Sequence, residues 1–177
     1  MLTRPIEDSK VLISKLKSLG HDVSHMPVIK VKRRELINLK YEEYSGIIFT
    51  SSNSIKFLET KNISKSIYCF CVGSATEKLA LEKGFQNVYA AGGNVRNLKE
   101  IIIQNFSKKI GKLLYVSGEI VSSNLHKELK DENFDIERVI NYEVEHNNDL
   151  DQNFIEQMKS FMPEIIYVYS ENSAKSL

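Results

Sequence analysis

Four times in this chain an apolar run gives way at once to small polar residues: Thr50-Ser51-Ser52-Asn53, Gly73-Ser74-Ala75-Thr76, Ser117-Gly118, and Ser170 to Ser173. Where a strand passes into a helix, the first backbone N–H groups lack intrahelical partners and carry partial positive charge. Such turns receive carboxylates, each contributing about 0.3–1 kcal/mol at an exposed helix start. Hydroxyls at these positions add donors, Gly73 permits close approach of a ligand to the backbone, and Thr76 stands where it could cap the helix or bond the ligand. The chemistry on offer is multiple anion binding. Ser and Asn are also the commonest N-caps, so each turn taken alone has a purely structural reading.

The elements that would hold these turns recur along the chain. Ile47 to Leu58, IIFTSSNSIKFL, returns as IYVYSENSAKSL, Ile166 to Leu177, with Ile, Ser, Asn, Ser, Lys and Leu in register. Leu16 to Ile29 and Leu129 to Tyr142 share a second plan: helix end, turn, Asp-apolar strand, extended exit. Two similar lobes are implied. Hydrophobic spacing predicts helices over 7–19, 52–59, 75–83, 95–106, 121–131 and 150–161. Strands are predicted at the opening residues and over 22–26, 46–50, 68–72, 87–90, 112–116, 134–139 and 164–169. Alternation of strand and helix with short connections implies an α/β fold of parallel sheets with right-handed crossovers, each lobe flavodoxin-like. Residues 1–27 with 147–177 are expected to form lobe 1, residues 38–137 lobe 2, and 28–37 with 138–146 a two-stranded linker between them. On this count lobe 2 has five strands and lobe 1 three, so the chain reads as lacking the last strand and helix pairs of its first lobe.

Composition narrows the function classes. With 177 residues, 24 basic and 23 acidic, the formal charge of +1 gives no electrostatic case for nucleic acid. Neither a signal peptide nor an apolar run long enough for a bilayer is present, so the chain reads as cytoplasmic with no membrane partner. Cys69 and Cys71, two apart on a predicted strand, share a face and read as buried thiols that do not readily bridge. His21, His25, His126 and His146 have no metal-ligand spacing, and Gly92-Gly93 lacks the continuation of a phosphate loop. Lys30, Lys32, Arg33 and Arg34 read either as a solvated edge or as an attractor for a polyanion.

The segments LTRP, GHDVSHMPVIKV, IIFTSSNS, VGSATEKLALEKG, LLYVSGEIVSSNLHKELKDENFDIERVINYEV and IYVYSENSAKSL, in this order, resemble uroporphyrinogen-III synthases over essentially the whole chain. The resemblance implies two α/β lobes joined by a two-stranded ladder. It also implies a reaction without cofactor or metal: hydroxymethylbilane, a linear tetrapyrrole with eight carboxylates, loses water, closes, and inverts its last pyrrole through a spiro intermediate. Positioning and electrostatics would carry such a reaction.

On that resemblance the four turns face a ligand, and Tyr142 matches the tyrosine that the family keeps at the mouth of its cleft. A phenol there can donate a hydrogen bond to the departing hydroxyl; the alternative is a tyrosine packed against Ile29 or Val31. Thr3 and Arg4 match a turn bordering the cleft, where Arg4 would take a carboxylate or serve as a surface ion-pair partner. A monomer is expected, handed its substrate by the preceding pathway enzyme. The competing reading is a two-lobed protein that binds a small anion without transforming it, or an inactive relative.

Overall fold

The computed structural model of the chain describes residues 1–147, 152, 155, 156, 159, 162–168 and 174. Its elements are α1 (Ile6–Ser18), β1 (Ile29–Arg33), β2 (Tyr44–Phe49), α2 (Ser52–Lys56), β3 (Tyr68–Val72), α3 (Ser74–Glu82), β4 (Asn87–Ala91), α4 (Val95–Asn105), β5 (Lys112–Gly118), α5 (Leu125–Asp131) and β6 (Ile136–His146). Two units emerge, Met1–Lys32 with Val144–Leu177, and Arg33–Glu143.

The sheet order is β1-β6-β5-β2-β3-β4, and the ladders from β6 to β4 are all parallel. β1 runs antiparallel to β6: Asn147 N–H donates to the Val28 carbonyl at 2.8 Å and Arg34 N–H to the Asn141 carbonyl at 2.9 Å. Counted from β2, the parallel strands lie in the order 3-2-1-4-5. A flavodoxin-like sheet would run 2-1-3-4-5, so the flavodoxin-like expectation is corrected for this unit to the first five strands of the doubly wound order 3-2-1-4-5-6. The chain changes direction across the sheet between β2 and β5. Open α/β sheets take their ligands at that switch point, beyond the carboxyl ends of the strands.

Strict alternation along the strands makes two cores in the Arg33–Glu143 unit. Ile47, Phe49, Cys69, Cys71, Leu114 and Val116 face Ile55 and Leu58 at α2 and Ala80 of α3. Ile48, Phe70, Leu113 and Tyr115 face Leu98 and Ile102 of α4 and Leu125 and Leu129 of α5. Cys69 and Cys71 share the first face, both thiols free, with sulfurs 3.8 Å apart.

In the other unit, Pro5 precedes α1, which carries Glu7 and Asp8 in its first turn and Lys15 and Lys17 in its last, in favourable order for the helix dipole. Leu2 is buried and makes single parallel bridges to His25 and to Tyr167. The predicted strands over 22–26 and 164–169 therefore reduce to one bridge each among the described residues. Asp22, Ser24 and Pro27 explain the first shortening: two side chains that compete for backbone groups, then a residue without an N–H. Most of the helix predicted over 150–161 lies outside the described residues. The predicted helix over 121–131 begins only at Leu125, because Ser122, Ser123 and Asn124 favour the turn and cap conformations that precede a helix.

Candidate active site

The carboxyl ends of β2, β3 and β5 gather most of the expected residues on one edge of the Arg33–Glu143 unit. After β2, the Ser51 hydroxyl caps α2 by accepting from the Asn53 N–H at 3.2 Å. Thr50, Ser51, Ser52 and Asn53 are all half-buried. After β3, Gly73 is the N-cap of α3 at φ 78°, a left-handed conformation that favours glycine, and no atom lies within 4 Å of where a Cβ would stand. Ser74 is exposed beside it, whereas Thr76 is buried and does not cap the helix. Thr76 stands within the first turn of α3, one of the turns expected to receive a carboxylate.

Between β2 and β5 the site has a floor of aromatic and guanidinium groups. Thr50 Oγ1 lies 3.1 Å from the hydroxyl of Tyr115, which is 2% exposed. Burial pushes the Tyr115 phenol up in pKa, opposed by the Thr50 hydrogen bond and the Arg138 charge. The Arg138 guanidinium stands 6.0 Å from the Tyr115 ring centre. It donates from Nε to Ser117 Oγ at 2.8 Å and from Nη2 to the carbonyls of Gly118 and Glu119 at 2.8 and 2.9 Å. Ser117 is fully buried and its hydroxyl donates to the Gly118 carbonyl at 3.0 Å, which helps hold the turn.

Tyr142 lies over Gly118. A Cβ on Gly118 would come within 2.5 Å of the Tyr142 Cζ, so only glycine admits the ring there. The ring is 6.2 Å from that of Phe57, centre to centre, and Tyr142 is 8% exposed. Beside Phe57 opens a pocket of about 300 Å³ lined by Arg33, Lys56, Glu59, Lys61 and Lys83, four cations to one carboxylate. Arg34 pairs with Glu119 at 3.5 Å and Lys32 with Glu145 at 2.7 Å, as charges on a solvated edge do.

The remaining expected residues belong to the other unit. Thr3 is fully buried and donates to the Tyr167 carbonyl at 2.7 Å, tying the opening residues to that segment. Arg4 lies 3.7 Å from Asp8. Ser170 falls outside the described residues. A pocket of about 360 Å³ in this unit, lined by Leu2, Leu16, Val23, Met162 and Ile165 among others, holds none of the candidate residues.

Arg138, Tyr115 and Asn141 were not found from sequence. A signal for Arg138 existed: it stands two residues from both Ile136 and Ile140, so its charge falls on a buried strand face. Among the described residues no three His, Cys, Asp or Glu side chains cluster as metal ligands, and no helix is long and apolar enough to cross a membrane.

The likeness of the chain to known proteins is one of family and of fold. A family model described as uroporphyrinogen-III synthase HemD matches residues 10–177. The fold is similar to that of a uroporphyrinogen-III synthetase from Helicobacter pylori 26695, with a TM-score of 0.63, 19% identity, and coverage of 89% of this chain and 73% of that one. A mutant uroporphyrinogen III synthase from the extremely thermophilic bacterium Thermus thermophilus aligns with a TM-score of 0.49 and 11% identity over 82% of this chain and 62% of that one. No curated protein matches the chain. On the family match, which spans nearly its whole length, this chain belongs to the uroporphyrinogen-III synthase family.

Proposed function

We propose that the chain converts hydroxymethylbilane to uroporphyrinogen III in haem biosynthesis, with Tyr142 as the hydrogen-bond donor to the departing hydroxyl. The observation that carries this reading is the seating of Tyr142 on Gly118, at the carboxyl end of β5, one of the two strands that border the switch point. The N–H groups after Thr50 and around Gly73 and Ser74 receive carboxylates of the substrate, and the basic pocket beside Phe57 supplies a favourable field for a polyacid. Arg4 is held by this reading as a further carboxylate contact, and Ser170 likewise.

Loss of hydroxide leaves a cationic pyrrole terminus, and a phenol that hydrogen-bonds the leaving oxygen lowers the barrier to that step. Holding the tetrapyrrole bent then lets the spiro route outrun direct closure. No cofactor is needed by this chemistry. The protein acts as a cytoplasmic monomer that takes its substrate from the preceding enzyme. The bridge order His25–Leu2–Tyr167, which is 2-1-3 in chain order, supports a flavodoxin-like plan for the unit that contains it.

Supplying freshly made hydroxymethylbilane and separating the product isomers tests the reading. Type III product in excess of the spontaneous type I background is expected; tight binding with type I product alone would replace the enzyme by a binding protein.

A further inference from the structure

We infer that Asn141 is a positioning residue for Tyr142: one extra residue in β6 turns the tyrosine onto the α2 face of the sheet, and the Asn141 side chain fixes that turn. The inference rests on the reading that Tyr142 is the hydrogen-bond donor of the reaction. The register carries it. Along β5 and β6, Leu113 pairs with Ile136, Tyr115 with Arg138 and Ser117 with Ile140, but the next residue, Gly118, pairs with Tyr142. Asn141 is therefore a bulge in a parallel ladder, where bulges are rare.

Before the bulge the faces alternate regularly. Ile136 packs in the core under α4 and α5, and Arg138 stands over Tyr115 of that same core, while Val139 packs on the α2 side. Continued alternation would send Tyr142 to the face of Ile136, Arg138 and Ile140. It lies instead over Gly118, which shares the parity of Leu114 and Val116, and beside Phe57, the C-cap of α2. Asn141 also points to α2: it is fully buried, and its Nδ2 donates to the Ser54 carbonyl at 2.7 Å. Its backbone carbonyl accepts from the Arg34 N–H.

Asn141 Oδ1 and Ser54 Oγ are buried and without hydrogen-bond partners among the described residues. The amide is therefore held by its nitrogen: the bond from Nδ2 to the Ser54 carbonyl ties β6 to α2 at the extra residue and sets where the strand leaves its regular path.

A double-mutant cycle tests this. Asn141→Ala, and the milder Asn141→Ser should the first not fold, is combined with Tyr142→Phe. With Tyr142 present, kcat is expected to fall tenfold or more with KM changed less than twofold; in the Tyr142→Phe background, the same substitution should change kcat less than twofold. The near-ultraviolet circular dichroism of Tyr142, taken as the difference between each protein and its Tyr142→Phe counterpart, should change on loss of the Asn141 amide, because the ring leaves its seat on Gly118 and beside Phe57. Equal losses of kcat in both backgrounds would assign Asn141 to folding only, and an unchanged difference spectrum would overturn the inference. The spectrum needs no turnover, so it decides the inference even if no type III product forms, an outcome that would remove the synthase reading instead.

Discussion

Replacing Gly118 by alanine probes the seat of Tyr142 with a single methyl group. That methyl would stand 2.5 Å from Cζ, 2.6 Å from Cε2 and 2.9 Å from the hydroxyl oxygen of Tyr142. Carbon atoms in contact prefer about 3.5–4.0 Å, so the ring must retreat by about 1 Å. Gly118 has no left-handed backbone angle to defend, which leaves the clash as the only new term. Forcing a methyl into a packed contact costs about 1–3 kcal/mol, or a fall in Tm of about 2–12 °C for a chain of this size. Moving a reacting group by about 1 Å costs about 10²-fold in rate. Gly118→Ala is therefore expected to lower the rate of type III formation by about 10²-fold while leaving a folded protein, and the loss should be read by isomer-resolved product analysis beside thermal unfolding. In a Tyr142→Ala background the methyl has nothing to strike, and its Tm penalty should vanish. Unchanged turnover in Gly118→Ala, or a penalty that persists without the ring, would refute the reasoning.

Removing the phenol alone, Tyr142→Phe, should slow kcat by about 10²-fold without abolishing it, the low end for a positioned proton donor; single-turnover kinetics measures this directly. Arg138→Met strips donors from the Ser117 hydroxyl and the Gly118 and Glu119 carbonyls, and is expected to destabilise by about 1–3 kcal/mol in urea unfolding. Glu137 accepts from Lys112 and from Tyr44, and Lys112 first, then Tyr44, hold its carboxyl below the ordinary value of 4.5. A depressed pKa contributes stability that is present above the unfolded value and lost as pH falls through the folded one, so urea midpoints should drop below about pH 4.5 more steeply than in Glu137→Gln. The neighbouring Cys71 and burial push the Cys69 thiol up, so thiol-alkylating reagent at pH 8 should label neither cysteine until the protein unfolds, as mass spectrometry would show.

Local pattern carried a good part of the fold and stopped where information became non-local. Tyr68 to Val72 is a strand over the residues its apolar run and flanking turns predict, and the helices near α1, α3 and α4 fall within a residue or so of their periodic stretches. Strand order is different in kind. Which strand β2 accepts as its second neighbour depends on the crossover after β4, and no residue of β2 encodes that choice alone; the 3-2-1-4-5 order thus replaced 2-1-3-4-5. At the site, the Ser/Asn turns were legible because helix starts have a chemical signature. Thr3 and Thr76 share that signature and are buried, a property that depends on what packs over them and is not written in the turn itself. The bulge at Asn141 left no trace, because it is a relation between two strands and not a property of either.

Strand β2 lies at the centre of the parallel set, flanked by β3, which follows it closely, and by β5, which the chain supplies only after β4 and α4. During synthesis the nascent chain can complete β2, β3 and β4 while one whole side of Ile47, Ile48 and Phe49 still has no backbone neighbour. Until Lys112 to Gly118 leave the ribosome, that open flank is the stretch most exposed to mispairing and to chaperone capture, and synonymous changes that slow translation just before Lys112 would lengthen the exposure.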